Sequence, residues 1–155
     1  MKLRYKPLFV IILLLNVSSV ATAAGTSTDH FATSAEVVAL TNQARASAGC
    51  SALRINEKLT AVAVDHSHDM AVHSTMSHRG SDGSDSALRV TRAKYDWIAY
   101  GENVAYGYST GQQVVDAWMN SPGHRKNILD CSFKEIGVGH AQPGNYWTQM
   151  FGSPR

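Results

Sequence analysis

The chain has 155 residues, of which 44% are hydrophobic and 17% are charged, with 14 Lys and Arg against 12 Asp and Glu. Three of the basic residues and none of the acidic ones precede residue 24, so the remaining 132 residues carry 11 basic and 12 acidic side chains. Because these basic residues form no run, the composition excludes a nucleic-acid-binding surface, and the length is that of one domain with one core.

The N-terminal segment 1–23 predicts a secretory signal peptide. Basic residues precede the apolar run 8–15, and the small residues Ala21 and Ala23 form a cleavage site. The apolar run is shorter than the roughly 20 residues that span a bilayer, and no later segment approaches that length. We therefore expect cleavage near Ala23, a secreted or extracytoplasmic protein, and no transmembrane anchor.

Two further segments follow, a flexible lead-in over 24–33 and a single domain over 34–153. The lead-in consists mainly of Gly, Ser, Thr and Asp. Ser34 is predicted to be the N-cap of a first helix, whose apolar residues keep helical spacing up to Gly49.

Asn56 is predicted to cap a second, amphipathic helix of about 18 residues. Asp65, Asp69 and His73 recur along it every four residues, which places them on one side as a possible metal-ligand set. Charged residues opposite the apolar positions are also typical of a solvated helix face, and we favour this second interpretation. His66 lies on the apolar side and is expected to be a hydrogen-bonded core residue.

The segment 76–86 is too rich in Gly, Ser and Asp for a regular element and predicts a loop. His78 lies near its start, and loops commonly carry functional side chains. Ser84 or Ser86 is expected to cap the short helix that follows. The loop lacks the acidic residue at the twelfth position that an EF-hand calcium site requires.

Glu102 is the unusual residue of the strand predicted over 97–106, because a carboxylate in an apolar run has no ordinary packing role. Thr110 is expected to cap a further helix. The pair Pro122-Gly123 is expected to end that helix, so that His124 is presented at a turn.

The C-terminal part alternates between apolar and small or polar residues and predicts a hairpin. The two alternating runs, 136–141 and 146–151, flank a turn over 142–145. Together with the upstream helices, this hairpin predicts an α+β fold in which helices cover a small antiparallel sheet.

The chain has two cysteines, Cys50 and Cys131. In an exported protein without C-x-x-C spacing they favour one disulfide over two free or reactive thiols. The bond would join the end of the first helix to the segment before the hairpin, and the loop-entropy argument values it at about 4.5 kcal/mol.

Seven short blocks occur in order along the chain. They are Asn42-Gln43-Ala44-Arg45, His66-Ser67-x-Asp69-Met70-Ala71, Ser77-His78, Gly101-Glu102-Asn103-Val104-Ala105, Trp118-x-x-Ser121-Pro122-Gly123-His124-Arg125-x-Asn127-Ile128-Leu129, Glu135-Ile136-Gly137-Val138-Gly139 and Tyr146-Trp147-Thr148-Gln149-x-Phe151-Gly152. The series resembles the CAP or SCP superfamily of cysteine-rich secretory, antigen-five and pathogenesis-related proteins, in its bacterial exported form. The resemblance implies a three-layer α-β-α sandwich with a surface cleft.

In eukaryotic members of that superfamily two His and two Glu line the cleft and sometimes hold zinc or another divalent ion. His78 and Glu102 match the first His and the Glu of the Gly-Glu-Asn block. Ser121 and Tyr146 stand where the other Glu and His would be, and His124 is expected to lie in the cleft instead. We expect no required cofactor; in the cleft, His78 and His124 are weak candidate ligands of a divalent metal (zinc).

The predicted function is that of an exported, monomeric CAP/SCP domain protein that binds a lipid, glycan or protein partner through the His/Glu-lined cleft. An alternative is a metal-assisted or His/Glu-dependent hydrolase of protease-like type, with His78 or His124 as general base and Glu102 orienting it. Its nucleophile would be a water or a Ser, although no Gly-x-Ser-x-Gly elbow is present. A second alternative is a non-catalytic, envelope-associated structural domain. Binding is favoured over catalysis.

Overall fold

The computed structural model describes the backbone of residues 25–155 and the side chains from Thr33 onward. The predicted signal peptide and its cleavage site lie outside the described residues. The described elements are the helices α1 (Gly25–Ser47), α2 (Glu57–Val72), α3 (Ser86–Arg92), α4 (Gly111–Asn120) and α5 (Pro122–Ile128), and the strands β1 (Arg54–Ile55), β2 (Trp97–Ala105), β3 (Glu135–Ala141) and β4 (Tyr146–Pro154).

The four strands form one sheet in the order β1-β3-β4-β2. The predicted hairpin is confirmed, since β3 and β4 pair antiparallel with Ile136 opposite Phe151. Strand β2 adds antiparallel to the other side of β4, where Glu102 pairs with Met150. The sheet is mixed rather than purely antiparallel, because the two-residue strand β1 pairs with β3 in parallel.

Helices cover both faces of this sheet, which confirms the α-β-α sandwich. Helices α1, α4 and α5 share one core with the sheet, built from large apolar side chains that include Val37, Val114, Trp118, Ile128, Trp147 and Phe151. The helices α2 and α3 bury a second set on the opposite face, including Leu59, Val62, Val90, Tyr95 and Met150. The alternation of apolar residues along β3 and β4 therefore serves two cores.

Two glycines of β3 let helix α2 approach the sheet backbone. A Cβ on Gly137 would lie 2.1 Å from the carbonyl carbon of Leu59, and one on Gly139 would lie 2.2 Å from the carbonyl oxygen of Ala63. No side chain fits in that space. The Gly137-Val138-Gly139 block is thus a helix-packing surface.

Two predicted N-caps are wrong, and one predicted turn is helical. The described residues Gly25–Ser47 all belong to α1, so Ser34 lies inside the helix and is not its N-cap, and residues 25–33 of the predicted lead-in are helical; no Gly or Pro interrupts residues 26–48. The cap of α3 is Asp85, whose carboxylate accepts from the amide of Leu88, and not Ser84 or Ser86. Helix α4 ends at Asn120, just before Pro122 as predicted, but Pro122 then begins α5, because proline fits the first turn of a helix, so His124 lies in a helix and not at a turn.

A buried arginine ties the end of α1 to the segment after α5. The Arg45 guanidinium donates to the carbonyl oxygens of Ser51, Ile128, Asp130 and Phe133 at 2.8–3.2 Å. The predicted disulfide between Cys50 and Cys131 joins the same two segments and is confirmed. One corner of the fold is therefore closed both covalently and by hydrogen bonds.

None of the helices among the described residues is long and apolar enough to cross a membrane.

Candidate functional site

Glu102 lies at the centre of the candidate site, with a side chain that is only 2% exposed. Its Oε1 accepts from the Nδ1 of His78 at 2.8 Å, and its Oε2 accepts from the Nη2 of Arg89 at 2.6 Å. A buried carboxylate is tolerated when charged donors satisfy it, and this one receives a donor on each oxygen. Glu102 thus links β2 to the loop before α3 and to α3 itself.

No motif or spacing in the sequence singles out Arg89, the second partner of Glu102. Its guanidinium also donates to the carbonyl oxygens of Ser84 and His78, at 3.0 and 3.1 Å, so it holds the loop that carries His78. The signal was present in the sequence: a carboxylate placed in a buried strand requires a cationic partner. Which arginine supplies that partner depends on how α3 packs against β2. A helix of seven residues is too short for its sequence pattern to predict this packing.

His78 presents its ring at the surface while Glu102 holds one side of it. The side chain is 60% exposed. The hydrogen bond to Glu102 raises the pKa of His78, and burial opposes this shift without overcoming it. His78 therefore keeps its proton to a higher pH than a free histidine does.

His124 lies beside His78 but not on Glu102. It occupies the first turn of α5, and its backbone carbonyl accepts from the Nδ2 of Asn103 at 3.2 Å. Burial lowers the pKa of His124, and the charge of His78 lowers it further. Asn127 donates to the backbone carbonyl of Glu102 at 3.1 Å, which fixes α5 against β2.

Tyr146 is placed differently from the other three predicted cleft residues. It is 7% exposed and packs in an apolar cluster with Met70 and Val104. Its ring stacks on that of Tyr106, with centroids 5.8 Å apart. Tyr146 is therefore a buried packing residue behind the exposed Tyr106.

An apolar groove of about 250 Å³ adjoins His124. Its wall is aromatic and aliphatic, with Met76, Tyr106, Tyr108 and Trp118 on it, and Ser121 lies at its polar end. Met76 and Tyr106 are 46% and 57% exposed, respectively. Exposed apolar side chains grouped around a concavity are typical of a binding surface.

The donor set does not fit a tight zinc site. Among the side chains that the structure describes, no three His, Cys, Asp or Glu lie close enough together to hold a metal ion. Both oxygens of Glu102 and the Nδ1 of His78 are already engaged. The positions that would complete the set carry Ser121 and Tyr146 instead.

The charged face of α2 has ordinary partners. Asp69 accepts from the amide and hydroxyl of Ser81 and lies 3.2 Å from His73. His66 is 1% exposed, and its Nε2 is hydrogen-bonded to the carbonyl of Ser77 at 2.8 Å. The interpretation of His66 as a hydrogen-bonded core residue is confirmed.

Comparison with known proteins agrees with this architecture. The sequence profile of the cysteine-rich secretory protein family (CAP) matches residues 38–151. YkwD, an uncharacterized protein of Bacillus subtilis, is 40% identical over 116 residues, which are 75% of this chain and 45% of YkwD.

Solved structures give the same result. An extracellular protein of Bacillus anthracis that contains an SCP domain superposes with a TM-score of 0.76 at 31% identity, over 79% of this chain and 41% of that protein. An outer surface protein of Borrelia burgdorferi shares the fold, with a TM-score of 0.72 at 20% identity over 77% of this chain and 90% of its own. This chain thus spans less than half of YkwD and of the anthracis protein.

Proposed function

This chain belongs to the cysteine-rich secretory protein (CAP) family, and we propose that it is exported and binds an amphipathic, lipid-like partner in the groove beside His124. The observation that carries the proposal is an aromatic groove lined by Met76 and His124, with the exposed His78, held by the buried Glu102, two residues along the chain from Met76. The extracellular protein of Bacillus anthracis, with its SCP domain, supports the compartment.

The charges around Glu102 favour an anionic head group. Arg89 offsets the charge of Glu102, so a protonated His78 leaves one net positive charge at the surface. A head group that binds there would place an apolar body along Met76 and Tyr108. A neutral glycan would make no use of this charge.

Binding of 1-decanesulfonate, whose head group stays ionised through the neutral pH range, tests the proposal by calorimetry. We expect saturable binding that weakens as pH rises through the folded pKa of His78. Met76→Asp, in the groove, should weaken it by about tenfold, or 1.4 kcal/mol. Val72→Asp is the matched control, because Val72 is 62% exposed and lies outside the groove.

Equal effects of the two substitutions, or no saturable binding, would exclude the groove as the site.

Mass spectrometry of lipids that copurify with the secreted protein then identifies the natural partner. Arrays of glycans and peptides test the two other partner classes. The mass of the secreted chain tests the proposed cleavage near Ala23.

Hydrolysis is a second candidate, because His78 is oriented as a general base would be, with Nδ1 on a carboxylate and the rest of the ring exposed. The hydrogen bond recorded for the Ser77 hydroxyl joins its Oγ to the amide of Arg79 and not to the His78 ring. Water would be the nucleophile. Turnover of ester or peptide libraries that is lost in His78→Gln would support hydrolysis, and neither binding nor turnover would favour a structural domain of the envelope.

We also propose that no cofactor is required. A divalent ion would have only the imidazoles of His78 and His124 as ligands, and one of the four ring nitrogens already faces Glu102. Such a site would be weak. Elemental analysis of the secreted protein should find zinc well below one equivalent, and a full equivalent that survives dialysis would contradict this.

A further inference from the structure

A second groove, of about 690 Å³, lies on the other side of Arg89 from Glu102, between α2, α3 and the loop 80–84. Its volume is within the range of roughly 300–1,000 Å³ that is usual for small-molecule sites. Ala61, Val62 and Ala93 contribute apolar surface to it, and charged residues surround them. The function proposed above makes no use of this groove.

His66 lines this groove and carries a buried nitrogen without a partner. The carbonyl of Ser77 can only accept, so the Nε2 that faces it at 2.8 Å must carry the hydrogen. Burial lowers the pKa of His66, so the ring is neutral near pH 7. Its Nδ1 is then a lone-pair acceptor, and no donor within the described part of the chain reaches it.

Arg89 lines the same groove with a buried donor. Its two terminal nitrogens are hydrogen-bonded to Glu102 and to the carbonyls of Ser84 and His78. Its Nε, in contrast, has no acceptor among the described residues. A buried polar atom without a partner costs about 1–3 kcal/mol, so one unpaired acceptor and one unpaired donor on one groove call for an external group.

We propose that this groove binds a neutral carbohydrate through its hydroxyl groups. A hydroxyl both donates and accepts, so a sugar can supply the donor that the Nδ1 of His66 lacks and the acceptor that the Nε of Arg89 lacks. Asp65 and Asp69 on the rim accept further hydroxyls, and Ala61 packs against the carbon face of the sugar. The groove carries charges of both signs, with Lys58, Arg89 and Arg92 beside Glu57, Asp65, Asp69 and Asp82, so it favours a neutral ligand over an ion of either sign.

The test uses the secreted chain and the nitrogen resonances of the His66 ring. Long-range ¹H–¹⁵N spectra are recorded while glucose, N-acetylglucosamine or a β-1,4-linked disaccharide of either is added. We expect a saturable shift of the His66 Nδ1 resonance as its lone pair accepts a hydroxyl, with little change at His124 in the other groove.

Three substitutions on the exposed side of α2 test the site, and two of them are controls. Ala61→Trp fills the groove and should weaken sugar binding at least tenfold, whereas Ala61→Ser should retain it. Val64→Trp adds the same bulk at a position that is 44% exposed and outside the groove, and should also retain it.

The proposal is overturned if no sugar shifts the His66 resonance, or if the shift survives Ala61→Trp. A crystal structure in which one water bridges His66 and Arg89, and which high sugar concentrations leave unchanged, would assign these atoms to a structural water only.

Discussion

Two buried arginines, Arg45 and Arg89, hold two different regions of this molecule, and their hydrogen-bond partners differ in kind. Arg45 is fully buried and donates only to backbone carbonyls, four of them. Arg89 is 11% exposed, pairs with the carboxylate of Glu102 and leaves its Nε without an acceptor among the described residues. The first arginine closes a structural corner, whereas the second lies between an exposed histidine and a groove.

This difference in hydrogen-bond partners distinguishes a region that stabilises the fold from a region that forms a site. The Arg45 region has a disulfide beside it, and each of the three guanidinium nitrogens of Arg45 has an acceptor, so this region contributes to stability. In the Arg89 region, paired charges adjoin unpaired polar atoms and exposed apolar side chains, which adds little to stability but provides surfaces for ligands. Substitutions in the Arg45 region should therefore change the free energy of unfolding, whereas substitutions in the Arg89 region should mainly change ligand binding and the pKa of His78.

The largest expected effect is that of Arg45→Met on stability. The substitution leaves buried carbonyl oxygens, including those of Ile128 and Phe133, without their donor, so we expect a loss of about 3–4 kcal/mol in the free energy of unfolding. Urea denaturation measures it. Arg54→Met is the control: Arg54 has a 76% exposed side chain and a surface ion pair with Glu135, and should cost less than about 1 kcal/mol. Similar losses in both variants would contradict the assignment of Arg45.

The next largest effect should follow removal of the Cys50–Cys131 bond. The bond closes a loop with a sequence separation of 81, so the double substitution of both cysteines by Ser should cost about 2–4 kcal/mol, somewhat less than the loop-entropy value. Denaturation under oxidising conditions measures it, with reduced wild type as a second comparison. Equal stability of oxidised and reduced protein would show that the Arg45 contacts suffice alone.

A smaller effect concerns the pH dependence of stability, in which His66 and His78 act in opposite directions. The pKa of His78 is raised by Glu102, so its contribution is complete below the unfolded pKa of about 6.5 and is lost as pH rises through its folded pKa. The pKa of His66 is lowered by burial, so stability falls as pH drops below about 6.5.

We therefore expect the stability contributed by these two histidines to be greatest near pH 6.5, with His124 adding to the acid side because its pKa is also lowered. Thermal denaturation between pH 5 and about 8 shows the two limbs. His78→Gln should flatten the alkaline limb and leave the acid one. A profile of His78→Gln that matches the wild type would mean that the His78–Glu102 contact contributes nothing to folding.

Most of the fold could be predicted from the sequence, because helix caps, apolar spacing and turn residues all indicated the same elements. Asn56 and Thr110 cap helices as predicted, and the alternation around the turn 142–145 specified the hairpin. The contact between His78 and Glu102 could be anticipated from a carboxylate placed in a buried strand. Resemblance to the CAP family supplied the layer order.

What could not be predicted depends on packing between distant segments. Strand β1 has only two residues, too few for a periodic pattern, and forms because β3 offers a free edge. The role of Arg89 depends on how the short helix α3 docks against Glu102. Tyr146 was assigned to the cleft by its position in a family block, but its side chain points into an apolar cluster.

The most direct test of the account is an NMR titration of the His78 ring in wild type, Glu102→Gln and Arg89→Met. The account predicts a wild-type pKa above that of a free histidine, a lower pKa in Glu102→Gln, and a pKa higher still in Arg89→Met, where Glu102 keeps only His78 as its partner. If either variant fails to fold, the wild-type value and the other variant still decide. A His78 that titrates as a free histidine in the wild type would contradict the central claim that buried Glu102 holds this imidazole charged at the surface.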